Sequence, residues 1–489
     1  MQSSTFDSKE NSMVTGFVRK IISFSIPSWV GFVTNILSTV VVTRYFLPDA
    51  FGLISTFNAA ATLVMSLVCL GFDSGFIRYF HETPDGFDRN RLFLFSVSTP
   101  LLILSAIAGL TLAISSGNLS MLILGVDNHL VMGLLFVNTA ELIIVRFYTI
   151  YYRMQGNAFL YGFITILMQL ALKGALVYAA IVRPNYEFAI YSSVVATTFM
   201  TVAVAIIFGR KLLPSVKTFS VTEVNLLKPF ISYSLYTWPI PIILYTNILV
   251  TQIIIRTKLG PDAVGIFTSV NIFIGIISVI QTGFVTFWSG FMFENYKSQS
   301  AKIIRMHDYI SLALIVVMCL FVLFRDPMFY LIGKNYQTSK PFFALLLLYP
   351  LLLTLSETTA YGISIAKKSK LMFIITLISF ILNIGISWLL IPFFGITGAC
   401  IGSAISSVVF FALQSYFGQK YYRSINNAGK SIFTVCSLVL LALGNLFFNS
   451  SPWLAFGFNI TVLSFSIYIY RDEILEIRSA LVNSTLKAV

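Results

Sequence analysis

Long apolar runs separated by short polar clusters follow one another along the whole chain. A helix needs about 20 apolar residues to cross the hydrocarbon of a bilayer. Cutting at the polar clusters predicts fourteen such helices, at 21–43, 52–72, 92–114, 129–152, 159–182, 188–209, 229–255, 264–290, 307–324, 341–365, 371–391, 395–418, 431–448 and 453–470. The short connections at 44–51 and 392–394 demand tight helical hairpins. Of the 489 residues, 57% are hydrophobic and 10% charged, with a mean hydropathy of +0.87. Water-soluble domains carry about a quarter charged residues, so this surface is made for lipid. The expected fold class is an all-α membrane protein.

Lys and Arg orient the spans, because cytoplasmic segments collect them. With the N-terminus inside, 23 of the 32 basic residues fall in inner segments, 7 in outer segments and 2 within spans. Both termini are therefore expected in the cytoplasm. The net charge of +13 is then a topological signal, basic loops facing anionic headgroups, and not a nucleic-acid surface. The N-terminus is polar through Ser12, and Arg19-Lys20 precede an apolar run without a clear small-residue cleavage site. That run is expected to be a retained first span.

The chain repeats itself. TNILSTVVVTRYFLPDAFGLISTFN at 34–58 is echoed by TNILVTQIIIRTKLGPDAVGIFTSVN at 246–271. At an offset of 212, six of the eleven positions from Thr34 to Arg44 are identical, and at 213 five of the twelve from Leu47 to Asn58. The copies close spans one and seven, an even number of spans apart, so both cross in the same direction. That is a parallel repeat, with an axis along the membrane normal. The expected organisation is a cytoplasmic tail (1–20), a six-helix lobe (21–209), a cytoplasmic linker (210–228) and a second six-helix lobe (229–418). Spans 13 and 14 follow within 431–470, and a cytoplasmic tail at 471–489. Pro27 in span one, and Pro239 and Pro241 in span seven, are candidate hinges, since proline removes a helical hydrogen bond. Static kinks fixed by packing are the alternative. In the Pro-Asp-Ala-x-Gly turn, Pro stops one helix and Asp can cap the next.

The phrases RYFLPDAFGLIS, LGFDSGFIRYF at 70–80, YRMQGN at 152–157 and FFGITGACIGSAIS at 393–406 resemble the polysaccharide flippases of the multidrug/oligosaccharidyl-lipid/polysaccharide exporter superfamily. The resemblance extends over nearly the whole chain. It implies two six-helix lobes facing a central cavity, often with two further helices. It also implies translocation of undecaprenyl-pyrophosphate-linked sugar repeat units across the bacterial inner membrane, as used for O-antigen or capsule.

Ionisable groups within spans are costly and usually face a cavity. Span four carries Glu141 and Arg146, span five Lys173 and span ten Glu357. Arg146 and Lys173 suit a pyrophosphate, Arg by its planar fork and Lys as a compact charge; the alternative is structural pairing with Glu141. Glu141 and Glu357 are candidates for coupling or gating, either by taking up H⁺ or Na⁺ or by pairing with a cation. Asn35 and Asn247, matched by the repeat, can bond sugar hydroxyls or join helices. Arg44, Arg78 and Arg256 lie near span ends, where snorkelling is expected.

No catalytic residue, metal site or cofactor is expected. The four cysteines (Cys69, Cys319, Cys400, Cys436) lie in apolar runs and suit core packing. No Gly-rich loop precedes Lys-Ser/Thr, which argues against an ATPase in the chain. Two rival functions remain: a cation-coupled multidrug exporter of the same fold, and a membrane glycosyltransferase or polymerase. The second would need a catalytic acid or base, often on a large outer loop, and none of the outer loops reaches that size.

Overall fold

A computed structural model describes residues 26–80, 89–209 and 227–479, apart from positions 28, 115, 299, 367 and 477. Every regular element among these residues is helical. Among them, 12 helices are long and apolar enough to cross a membrane. Two of the fourteen expected spans stand outside that set. The first begins before the described residues, which are helical over 29–45. The expected 341–365 span is instead broken into Phe343–Glu357 and Tyr361–Ile365. At the break, Ser356, Thr358 and Thr359 donate their hydroxyls to the carbonyls of Leu353, Leu355 and Ser356. Such bonds compete with the helical ladder.

The two echo copies form the same local device. Leu47 in one and Gly260 in the other precede a helix that opens with proline, Pro48–Val68 and Pro261–Ser269. Proline at the first helical position loses only a donor that would be unpaired anyway. Asp49 does not occupy the N-cap position expected for it; it sits inside the first turn and accepts from the Ala50 amide at 2.7 Å.

The chain divides into two compact units, Met1–Thr257 and Lys258–Val489. In the first, the short Phe72–Tyr79 helix is locked by aromatic rings. Phe76 packs against Phe80, Phe93, Phe147 and Tyr151, with ring centroids 5.6–6.4 Å apart. Each such pair adds about 0.5–1.5 kcal/mol beyond its burial. The helix is entered through two left-handed residues, Leu70 (φ 50°) and Gly71 (φ 72°). A β-carbon at Gly71 would overlap the Ser234 carbonyl, and one at Gly75 the Ser234 hydroxyl. The glycines of LGFDSGF thus seat the Lys228–Thr237 helix, and Trp238 secures it by donating to the Ser66 carbonyl at 2.9 Å. The segment expected to open the second lobe therefore has its start packed within the first unit.

In the second unit, FFGITGACIGSAIS is a helical hairpin. Gly395 (φ 56°) turns the chain between Ser369–Phe394 and Ile396–Tyr421. Gly398 and Gly402 lie one turn apart, where a β-carbon would overlap the Leu390 backbone and the Ser387 hydroxyl. Small residues let two membrane helices approach closely, which substitutes for the missing hydrophobic drive between apolar surfaces in lipid. Three cysteines are buried as expected, whereas Cys436 is exposed.

Candidate functional site

Arg146 projects from the His129–Met154 helix, whose start is capped by Asn128 accepting from the Val131 amide. Its Nη2 donates to Asp73 Oδ2 at 2.9 Å, with the Arg side chain 48% exposed and the Asp 20%. The partner is thus Asp73 of the aromatic-locked helix and not Glu141. Five residues separate Glu141 from Arg146, about 140° around a helix of 3.6 residues per turn, so the two side chains leave on different faces. Asp73 engages one edge of the guanidinium. Among the described residues the other N–H groups have no partner, and they can receive phosphate oxygens in bidentate fashion.

Glu141 is 5% exposed and faces the Tyr186–Gly209 helix. Thr197 Oγ1 lies 2.6 Å from its Oε2, and Thr198 donates to its Oε1. Thr197 Oγ1 is also 2.9 Å from the Ser193 carbonyl. A hydroxyl has one hydrogen. When Thr197 donates to Glu141, the carboxylate is satisfied as an anion. When it donates to Ser193, a protonated Glu141 can donate to Thr197. The geometry accommodates both protonation states without moving a heavy atom.

Lys173 is half-buried in the Ala158–Val182 helix and, among the described residues, makes no hydrogen bond or ion pair. Asn35 and Asn247 are half-buried within helices. Pro27 is buried, and a β-carbon on Gly162 would lie 3.2 Å from its Cγ. Pro239 opens the Pro239–Leu259 helix directly after Lys228–Thr237 ends, so it marks a real interruption, with Pro241 in the same first turn. Glu357 is half-buried in the second unit, and its backbone carbonyl accepts from Trp288 Nε1 at 3.1 Å. Among the described residues its carboxylate has no partner.

Several polar groups gave no sequence signal. His307 is fully buried, with Nδ1 2.6 Å from Thr358 Oγ1 and Nε2 2.6 Å from Ser431 Oγ. The Thr358 hydrogen already goes to the Leu355 carbonyl. Nδ1 therefore carries the proton toward Thr358, and in the neutral ring Nε2 accepts from Ser431. Arg325, 3% exposed, donates to Asn445 Oδ1 at 2.9 Å and reaches the Asn445 and Asn449 carbonyls. Arg256 is no free snorkel. It caps the Ser116–Leu124 helix by donating to the Leu122 and Ile123 carbonyls. The start of the C-terminal tail is pinned, Glu473 pairing with Lys430 and Glu476 accepting from Tyr309 at 2.7 Å.

No family model matches the chain, and no curated protein matches it. Solved structures do. The lipid II flippase MurJ, in an inward closed conformation, superposes with a TM-score of 0.68 at 14% identity, covering 93% of this chain and 100% of that one. The MATE multidrug transporter DinF-BH gives 0.57 at 15% identity, over 81% and 94%. A MOP-superfamily transporter from Pyrococcus furiosus gives 0.54 at 16% identity, over 82% and 95%. At these identities the likeness is one of fold. The chain is a multi-pass helical membrane protein with the fold of the MOP-superfamily transporters.

Proposed function

We propose that this chain is a secondary transporter that moves undecaprenyl-pyrophosphate-linked oligosaccharide repeat units across the bacterial inner membrane by alternating access, with both termini cytoplasmic. The observation that carries the proposal is the likeness to a lipid II flippase over 93% of the chain, against 81% for the multidrug transporter DinF-BH. Two cations within spans add to it, because an anionic carrier lipid needs its charge met inside the hydrocarbon. Arg146 supplies a partly exposed fork, Lys173 an ammonium unpaired among the described residues, and Asn35 and Asn247 the hydrogen bonds for sugar hydroxyls. Glu141 and Glu357 are the coupling or gating groups, taking H⁺ or Na⁺, and Pro27, Pro239 and Pro241 the bending points.

A second reading, a cation-coupled multidrug exporter, is favoured by the DinF-BH likeness and by the buried Glu141 and half-buried Glu357, which pair with no cation among the described residues. A membrane glycosyltransferase or polymerase draws no support from these transporter neighbours. Deleting the chain in its host separates the cases. A flippase defect removes surface polysaccharide and accumulates lipid-linked repeat units facing the cytoplasm. Unchanged polysaccharide together with raised sensitivity to cationic dyes would replace the flippase by the exporter.

A further inference from the structure

Pro27 of the first helix and one face of the Ala158–Val182 helix enclose an apolar groove of about 480 Å³. Phe159, Gly162, Phe163, Ile166 and Leu170 line it. They recur at three- and four-residue spacing and so form one stripe along the helix. Lys173, three residues past Leu170, continues that stripe.

The two helices run parallel. Pro27 meets Gly162, and seven residues further along the second helix Gln169 lies where a β-carbon on Gly31 would overlap its amide. One helical turn beyond Gly31 stands Asn35, and one turn beyond Gln169 stands Lys173. Among the described residues, Gln169 Oε1 is buried without a hydrogen-bond partner. The groove is therefore apolar for its length and ends beside an acceptor and a cation that are both without a partner among the described residues.

We infer that this groove holds the prenyl chain of the lipid-linked substrate while its phosphate is met by Lys173. The inference rests on the flippase reading. An apolar groove in a bilayer fits any hydrocarbon chain, so charge and depth decide the occupant. An ammonium within a span is costly unless an anion accompanies it, which excludes neutral lipids. Lys173 lies about 22 Å from the start of its helix and about 14 Å from its end, at about 1.5 Å per residue. Resident phospholipids keep their phosphates at the membrane surface. A lipid in the course of translocation brings its phosphate to that depth.

The test uses the full chain in phosphatidylcholine nanodiscs, with undecaprenyl pyrophosphate, phosphatidylglycerol and inorganic pyrophosphate as probes. Undecaprenyl pyrophosphate should bind, with Ile166→Trp and Lys173→Ala each weakening it about tenfold and Lys173→Arg retaining it. Leu102→Trp, on an exposed position of another helix, should leave it unchanged. An analogue carrying a photoreactive group in its prenyl chain should crosslink wild-type protein within residues 158–170, a readout that needs no variant to fold. Crosslinks elsewhere with tight binding would remove the groove and leave the flippase reading intact. Phosphatidylglycerol competing equally would make the groove a seat for bulk lipid. No retention of undecaprenyl pyrophosphate by wild-type protein would overturn both.

Discussion

Arg146 and Asp73 form an ion pair of 2.9 Å that joins a long span to a short helix held by aromatic packing. Asp73 thereby holds the guanidinium in place, and under the proposed function it would compete with the substrate phosphate for it. Arg146→Ala should reduce polysaccharide export at least tenfold at normal abundance, and Arg146→Lys should restore it in part, since it keeps charge without the fork. The swapped double variant Asp73→Arg/Arg146→Asp restores an ion pair. If the pair is only structural, the swap supports export at the wild-type level; our assignment expects normal abundance without export. Export and immunoblot signal, measured together, decide.

Glu141→Gln should leave thermal stability within about 1 kcal/mol, because an amide still bonds Thr197 and Thr198. Transport by Glu141→Gln in proteoliposomes should lose its dependence on an imposed ion gradient. Retained gradient dependence would assign Glu141 to structure.

His307→Phe leaves the hydroxyls of Thr358 and Ser431 buried beside a ring that neither bonds them nor matches the imidazole. A loss of about 2–4 kcal/mol is expected, from the Ser431 hydroxyl left without its acceptor and a broken network. The triple variant His307→Phe/Thr358→Val/Ser431→Ala should recover part of that loss. Chemical denaturation in detergent, compared among the three proteins, measures both.

Gly398→Leu drives a side chain into the Leu390 backbone and should collapse membrane abundance, since overpacking costs about 1–3 kcal/mol or more. Gly385→Ala, on the facing helix with nothing within 4 Å of its new β-carbon, should be neutral or stabilising by up to about 1 kcal/mol. Thermal shift of the two purified variants separates packing from propensity.

The quoted motifs were legible as local structure, because turn chemistry acts over a few residues. Pro48 and Pro261 open helices, Asn157 caps Ala158–Val182 by accepting from the Leu160 amide at 3.0 Å, and Gly395 turns a hairpin. The separation of Glu141 from Arg146 was also legible in principle, since helical period alone puts them about 140° apart. The partner of Arg146 was not. Asp73 lies 73 residues away, and nothing in LGFDSGF distinguishes a carboxylate facing a cation from one facing water.

By itself the sequence determined the membrane setting, twelve of the fourteen expected spans and the repeated turn, because hydropathy and helix stops are properties of neighbouring residues. Tertiary structure decided what each polar group inside the membrane meets. In lipid the backbone satisfies itself within each helix, so a buried ionisable side chain finds its partner wherever packing brings another helix. Asp73 for Arg146, Thr197 and Thr198 for Glu141, Thr358 and Ser431 for His307, and, among the described residues, none for Lys173 were set by that packing.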